Sequence, residues 1–201
     1  MRSGNQSDDQ TRSFIERARR DQIVRAAIET IAEVGYAKAS IKEIAQRAGI
    51  SGGLISYHFA GKDELIQQVV ADIRTSLDQS ITERTDRTES YAEALRELMA
   101  GFVHYCAEHR TEMYALREIA ANSPKPELDN SVDELAEILR EGQAAGEFRE
   151  FDARLMAVSL NAALEAVPRE LYAREDTDVT TYADELAEAF VQAVRRKGRR
   201  R

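Results

Sequence analysis

The side chains best suited to chemistry in this sequence are one cysteine and two histidines in a single region. Cys106 and His109 lie three residues apart, on one face of a helix, where a thiol and an imidazole can act as nucleophile and base. No orienting acid or oxyanion loop accompanies them, so a buried, inert thiol is expected. His104 and His109 lack the i, i+4 spacing of a zinc-binding helix. We therefore expect no catalytic residue, no metal, no cofactor and no enzyme.

A glycine-containing segment is the second candidate for chemistry. The motif Gly49-x-x-Gly52-Gly53 follows no predicted strand, which excludes a phosphate loop for a dinucleotide. It lies between two short amphipathic segments, 41–48 and 52–58, and this arrangement predicts a helix-turn-helix. Gly49 is expected to supply the left-handed turn, and Ala45 allows the two helices to approach closely. The apolar wedge between the helices is expected to contain Ile44, Ala48, Ile50 and Ile55.

Composition restricts the class of protein. The 201 residues are 43% hydrophobic and 32% charged, and we expect no membrane contact, no signal peptide before Gln22 and a cytoplasmic location. A single cysteine cannot form an intramolecular disulfide. The net charge of −8 is uneven, because residues 66–194 carry −15, residues 1–65 carry +1, and the last seven residues carry six basic groups. An acidic body joined to a nearly neutral head indicates two functions in one chain.

Apolar residues recur at spacings of three and four along most of the chain, which predicts an all-α protein of about nine helices. Ser40 and Glu43 have the spacing of a capping box at the start of the second helix. We predict a disordered arm over 1–12, a helix-turn-helix domain over 13–62, a ligand-binding and dimerisation domain over 63–197 and a basic tail over 198–201. The helices are predicted at 13–34, 41–48, 52–58, 62–84, 89–109, 111–121, 127–145, 152–174 and 178–197.

Residues 22–66 resemble the DNA-binding domain of the TetR family of transcriptional regulators. The resemblance lies in Ile23-Val24-x-Ala26-Ala27 through Val34-Gly35-Tyr36, in Ser40-Ile41-x-x-Ile44-Ala45-x-x-Ala48-Gly49-Ile50-Ser51-x-Gly53, and in His58-Phe59-x-x-Lys62-Asp63-x-Leu65. Residues 53–59 look more like the branch that includes the choline-responsive betaine regulators. The family usually has an aromatic residue where this chain has Ser56, and Tyr57 is expected to take over its phosphate contact.

The resemblance implies that the helix-turn-helix binds a double-stranded DNA operator. It implies phosphate contacts from Ser40, Lys42, Tyr57, His58 and Lys62, and base or groove contacts near Ser51, Gly52, Gly53 and Leu54. The helical spacing independently directs Gly52, Gly53, Leu54, Ser56 and Tyr57 towards a major groove.

Basic residues give a second, independent argument for DNA contact. Lys42 and Lys62 each lie in the first turn of a helix, where a cation is disfavoured unless an anion is near; the alternative is an ordinary solvated lysine. A group of arginines near the N-terminus can reach the DNA backbone or a minor groove, although such runs are often only solubilising. These are Arg12, Arg17, Arg19 and Arg20.

The C-terminal helices carry apolar stripes that, by resemblance, pair with their copies in a homodimer; the alternative is that both stripes face the internal core. The stripes are Leu155, Val158, Ala162 and Ala166 on one helix, and Val179, Leu186, Phe190 and Val194 on the next.

A ligand pocket is implied in the preceding helices, and plain core packing is the alternative. Its candidate residues are Met99, Phe102, Tyr105, His109, Met113, Tyr114, Arg117, Asn161 and Glu165. Asn161 and Glu165 lie in an apolar stretch and need polar partners, from a second subunit or from a ligand. If Glu118 and Glu165 face a cavity, a cationic or amine-bearing effector is favoured.

These features together favour a ligand-responsive DNA-binding transcriptional regulator. The resemblance to the TetR family implies that it is a repressor. We expect it to bind a pseudo-palindromic operator as a dimer and to be released by a small-molecule effector, with the helix at 62–84 acting as a lever. The alternative is a helical adaptor that uses its helix-turn-helix for protein contacts.

Overall fold

The computed structural model describes the backbone of residues 4–122 and 131–196, and the side chains of these residues from Phe14 onward. Within these ranges the chain forms nine helices, and the only strand-like pairing is an isolated bridge between Phe148 and Arg195. The prediction of an all-α fold is confirmed. The helices are α1 (Gly4–Val34), α2 (Ile41–Ala48), α3 (Gly52–His58), α4 (Lys62–Thr85), α5 (Tyr91–Glu108), α6 (Arg110–Asn122), α7 (Ser131–Ala144), α8 (Ala153–Ala173) and α9 (Val179–Val194).

The first helix begins earlier than predicted. It starts at Gly4 rather than Ser13. No proline or glycine interrupts residues 5–12, and this polar stretch continues a helix that is anchored by burial from Ile23 onward. Residues 1–3 of the predicted arm, the predicted start of the seventh helix at 127, and the basic tail over 198–201 lie outside the described residues.

The last helix ends earlier than predicted, at Val194 rather than at residue 197. Here the chain leaves the helix and pairs with the loop that follows α7. The Arg149 amide donates to the Val194 carbonyl at 2.9 Å, and the Arg196 amide donates to the Glu147 carbonyl at 3.2 Å. These bonds satisfy backbone groups that another helical turn would use, so a loop distant in sequence sets the end of α9.

Two buried apolar clusters hold the helices together. The first joins α1–α4 to α6 and to the near ends of α5, α8 and α9, and the second fills the far part of the body. Fully buried side chains of the first cluster include Ile23, Ile31, Ile44, Ile55, Phe59 and Leu65, and those of the second include Leu95, Met99, Leu139 and Leu160. The head is therefore packed continuously onto the body.

The arrangement of helices connects the head to the body by two routes. α4 runs from the head into the body and packs against α5, while α1 packs against α6 as well as against α2 and α4. α5 is central and contacts α4, α7, α8 and α9. In the described part of the chain, no helix is both long and apolar enough to cross a bilayer.

Candidate nucleic-acid interface and ligand cavity

The predicted capping box at the start of α2 is confirmed. The Glu43 amide donates to Ser40 Oγ at 3.3 Å, and the Glu43 carboxylate accepts from the Ser40 amide at 3.2 Å and from the Ser40 hydroxyl. The hydrogen bonds from Ser40 lower the pKa of Glu43 below its ordinary value, because they stabilise the carboxylate. Ser40 is thus engaged in holding α2, and Lys42 in the same turn is exposed.

The turn between α2 and α3 depends on one glycine. Gly49 has φ 67° and ψ 32°, in the left-handed region, and its amide and that of Ile50 bond back to carbonyls of α2. Ile44, Ala45 and Ile55 are buried between the helices, with Ala48 and Ile50 partly buried beside them. The predicted wedge is confirmed, and its packing determines which face of α3 points outward.

The exposed face of α3 is formed by Gly53, Ser56 and Tyr57. Ser56 and Tyr57 follow Gly53 by three and four positions, which places all three on one side of the helix. Tyr57 has 73% of its surface exposed, while Ile55 on the opposite face is 1% exposed. Ser51 begins the helix and accepts a hydrogen bond from the Leu54 amide at 3.3 Å. Gly52, Leu54 and His58 are half-exposed at the edges of this face. The structure therefore brings the sequence-predicted residues of α3 together on one accessible surface.

Arg20 lies against the C-terminal end of α3. Its guanidinium donates to the His58 carbonyl and, at 3.2 Å, to Gln68 Oε1, and it lies 4.2 Å from the centre of the Phe59 ring. A cation at the C-terminal end of a helix is favourable and bonds an otherwise unpaired carbonyl. Arg20 thus ties α1 to the end of α3 and to α4, and its DNA contact stays a prediction.

Lys62 also has a partner inside the head. Its ammonium donates to the Tyr36 carbonyl at 2.8 Å and lies 4.4 Å from the centre of the Tyr36 ring. Burial lowers the pKa of Lys62, because a desolvated ammonium loses hydration. Lys62, although in the first turn of α4, therefore needs no anion nearby, since a carbonyl and a ring accompany its charge. The phosphate contact from Lys62 stays a prediction.

A cavity of about 1160 Å³ lies in the body between α4, α5, α6, α7 and α8. Five of the nine predicted pocket residues line it: Phe102, Met113, Arg117, Asn161 and Glu165. The other four do not. Met99 is fully buried in the far core, the Tyr105 ring lies 4.2 Å from the His109 ring, and Tyr114 stacks on Tyr172.

Sequence reasoning missed the walls of this cavity that come from α4 and α7. They include Arg74, Leu77, Asp78, Ile81, Leu135 and Ile138. The helical spacing of Leu77 and Ile81 was a usable signal, because apolar residues four apart mark a helix face that packs or binds. That spacing does not tell which other helices pack against α4.

The polar pair in α8 finds a partner within its own helix. Asn161 Nδ2 donates to Glu165 Oε1 at 2.9 Å, so the pair requires neither a ligand nor a second subunit. Glu118 does not line the cavity; it pairs with Arg117 and lies near Gly35. The condition for favouring a cationic effector is therefore not met.

The two predicted dimer stripes have different environments. Leu155 and Val158 on α8 are 68% and 46% exposed, and Ala162 and Ala166 on the same face are also exposed. On α9, Val194 is fully buried, and Val179, Leu186 and Phe190 pack against the two cores. Val194 is therefore unavailable to an intermolecular stripe, whereas Val179, Leu186 and Phe190 are only half-buried, and their part in a dimer stays a prediction.

Cys106 is fully buried, and desolvation raises the pKa of its thiol above the ordinary value. The thiol is therefore protonated at neutral pH, which argues against a nucleophile. Among the described residues, no group of three or more histidine, cysteine or acidic side chains could hold a metal ion.

Comparisons with known proteins identify similarity in the head and in the whole fold. Residues 23–69 match the family model described as bacterial regulatory proteins of the TetR family. The HTH-type transcriptional regulator BetI 1 of Chromohalobacter salexigens is 40% identical over 84 residues, which are 41% of this chain and 42% of that protein. BetI of Stenotrophomonas maltophilia is 33% identical over 88 residues, which are 43% of this chain and 45% of that protein. The matched region thus spans less than half of these relatives.

Solved structures extend the similarity of fold to most of the chain. The fatty acid degradation regulator FadR of Bacillus halodurans superposes with a TM-score of 0.75 at 23% identity, covering 89% of this chain and 97% of that one. A TetR-family regulator from a Rhodococcus species has a TM-score of 0.75 at 24% identity, covering 88% and 98%. At such identity the likeness concerns the fold alone.

Proposed function

We propose that this chain is a TetR-family transcriptional regulator that binds a pseudo-palindromic operator as a homodimer and releases it when an effector enters the cavity. The observation that carries the proposal is the orientation of α3. Ile55 is buried against α2, while Gly53, Ser56 and Tyr57 face solvent on a helix short enough to enter a major groove.

The exposed stripe of α8 supports a dimer. Leu155 and Val158 form an exposed apolar face that no helix of the described residues covers, and Ala162 and Ala166, which also line the cavity, continue it along α8. Exposed apolar faces often mark protein interfaces. One short recognition helix contacts few base pairs, whereas a two-fold dimer contacts two half-sites about 34–36 Å apart. A dimer would also place two heads at a fixed spacing that a ligand can alter.

The cavity supports control by a small molecule. It is lined both by α4, which begins in the head, and by α6, which packs on α1. A ligand that prefers one position of these helices shifts the spacing of the heads, and a bias of about 1.4 kcal/mol changes operator affinity tenfold. Repression is the proposed outcome only because it is the habit of the TetR family, which residues 23–69 match.

The test is a titration of purified protein into labelled duplexes from the region flanking its gene. Through about six phosphate contacts, affinity is expected to fall roughly a thousandfold between 50 and 200 mM salt. A protein adaptor would bind its partner with little dependence on salt, so a flat salt response would refute DNA binding.

Two variants sharpen this experiment. Lys42→Ala is expected to weaken binding to all duplexes alike and to reduce the salt slope by about one, since Lys42 is exposed on α2. Arg87→Ala removes a cation that is also exposed but lies outside the head, and it serves as the control. Equal effects of the two variants would contradict the placement of the interface.

A further inference from the structure

The cavity extends along two neighbouring helices. Its lining extends along α4 from Arg74 to Thr85 and along α5 from Tyr91 to Phe102. Each stretch covers eleven helical steps, or about 16 Å. The cavity volume of about 1160 Å³ exceeds that of most small-molecule sites.

Burial separates the lining into an apolar interior and a charged rim. The buried lining residues include Met113, Leu135 and Leu164, and half-buried Leu77, Ile81, Leu98 and Phe102 extend the apolar wall. The charged lining residues are exposed or half-exposed, and both signs are equally represented: Arg74, Arg117, Arg169, Asp78, Glu134 and Glu165. An occupant would place an apolar body inside and a polar end at the rim.

The lining does not suit a small quaternary amine. Such cations are recognised by several aromatic rings around one ammonium group. Among the described residues that line the cavity, the only aromatic ones are Tyr91 and Phe102. They lie eleven residues apart on α5, about 16 Å along the helix axis, so they cannot surround one cation.

We propose that the effector is an elongated amphiphile with a long aliphatic chain, and not a small quaternary amine; this inference rests on the proposed function of the cavity. The apolar lining of α4, α5, α6 and α8 holds the chain, and the rim charges receive the polar end. The sign of the head group is left for the experiment to select.

The experiment uses four probes that separate the chain from the head group: dodecanoate, acetate, dodecyltrimethylammonium and choline. Binding to the full-length protein is measured by calorimetry below the micellar range of each amphiphile. At least one chain-bearing probe is expected to bind more than about a hundredfold more tightly than its short counterpart. Binding of neither chain-bearing probe, or binding of choline as tight as that of the amphiphiles, overturns the proposal.

A variant that fills the cavity locates the site. Ala94 lines the cavity and is half-buried, so Ala94→Phe is expected to weaken binding of the chain-bearing probe at least tenfold. Ala144→Phe adds the same ring at an exposed position of α7 outside the cavity and should leave binding unchanged. Equal losses in the two variants place the probe elsewhere and overturn the proposal. Duplex binding without ligand is measured in parallel, so failure of the DNA-binding assignment is recognised separately.

A different observation concerns the two glycines that open α3. Neither Gly52 nor Gly53 has a positive φ. A Cβ at Gly52 would meet no atom within 4 Å, and one at Gly53 would meet only Ser51 Oγ at 3.9 Å. Neither backbone conformation nor crowding therefore requires glycine at these positions, and glycine weakens a helix relative to alanine.

We infer that Gly52 and Gly53 are specificity-determining residues, which set how closely the backbone of α3 approaches the base edges; this also rests on the proposed function. Gly53 shares its exposed face with Ser56 and with the projecting ring of Tyr57. A Cβ on this face would hold the helix away from the groove without disturbing the head.

The test combines stability with DNA binding. Gly52→Ala and Gly53→Ala are each expected to raise the melting temperature and to weaken operator binding by about tenfold, with less effect on random duplexes. Thr75→Ala, an exposed substitution in α4 outside the head, should raise stability and leave DNA binding unchanged. Unchanged operator affinity in both glycine variants, or a loss of stability in either, overturns the inference. If the unmodified protein binds no DNA, the proposed function is refuted instead.

Discussion

Tyr172 of α8 stacks on Tyr114 of α6, with ring centres 4.0 Å apart and planes 9° from parallel. The Tyr172 hydroxyl also lies 3.5 Å from the Ala32 carbonyl near the end of α1, to which it donates a long hydrogen bond. Met113 and Arg117, on either side of Tyr114 in sequence, line the cavity. This stacked pair therefore joins a wall of the cavity to the first helix of the head.

Replacing Tyr172 with alanine is expected to lower the free energy of unfolding by about 0.5–1.5 kcal/mol beyond the loss of buried area, because the stacked ring is removed. Tyr172→Phe keeps the ring and loses only the long bond to Ala32, so it should lie close to the unmodified protein. Urea unfolding measures both variants. A phenylalanine variant as unstable as the alanine variant would show that the hydroxyl, and not the stack, holds the helices.

A charge in the exposed stripe of α8 is expected to separate the proposed dimer. Leu155→Glu and Val158→Glu each place a carboxylate on this stripe, and sedimentation should show monomers at concentrations where the unmodified protein is dimeric. Operator binding should weaken in parallel, while the helical signal in circular dichroism is retained. Ala144→Glu at an exposed position of α7 is the matched control. Dimers that persist in both variants would place the interface elsewhere.

The turn at Gly49 gives a prediction for stability. Gly49→Ala is expected to destabilise the protein by about 1–2 kcal/mol, because alanine is strained at the φ of 67° found there. Gly49→Asn should cost less, since asparagine tolerates the left-handed region better. Chemical denaturation distinguishes the three proteins. If alanine proved neutral, the turn would not require a left-handed residue.

Burial of Cys106 predicts a loss of stability in alkaline solution. The folded protein keeps the thiol protonated above its ordinary pKa of 9.0, while the unfolded chain releases the proton. The resulting stabilisation is complete below pH 9.0 and declines as the pH rises above it, by up to about 1.4 kcal/mol for each pH unit. Burial also raises the pKa values of Tyr105 and Tyr182 above 10.0, and this adds to the decline at higher pH.

The slope of stability against pH is the measurement that isolates the thiol. Cys106→Ala is expected to be less stable at neutral pH because it leaves a small cavity, but its free energy of unfolding should fall less steeply between pH 9 and pH 10. Identical slopes for both proteins would show that the thiol titrates alike in the folded and unfolded states.

The bounds of α2 and α3 were predictable because their signals are local. Ser40 and Glu43 close a capping box within one turn, Gly49 can adopt a left-handed dihedral without a steric cost, and Ser51 caps the next helix. The end of α9 was not predictable in this way, since it depends on pairing with residues more than forty positions earlier in the chain.

The all-α fold, the helix-turn-helix and the outward face of α3 follow from the amino-acid sequence, because local hydrogen bonds, allowed dihedrals and the period of apolar residues specify them. Packing between distant helices instead sets the bonds of Arg20 and Lys62 inside the head, the place of Met99 in the core and of Phe102 in the cavity wall, and the greater exposure of the α8 stripe than of the α9 stripe. An apolar stripe requires a covering surface without specifying which one. The covering surface depends on how helices distant in sequence pack together.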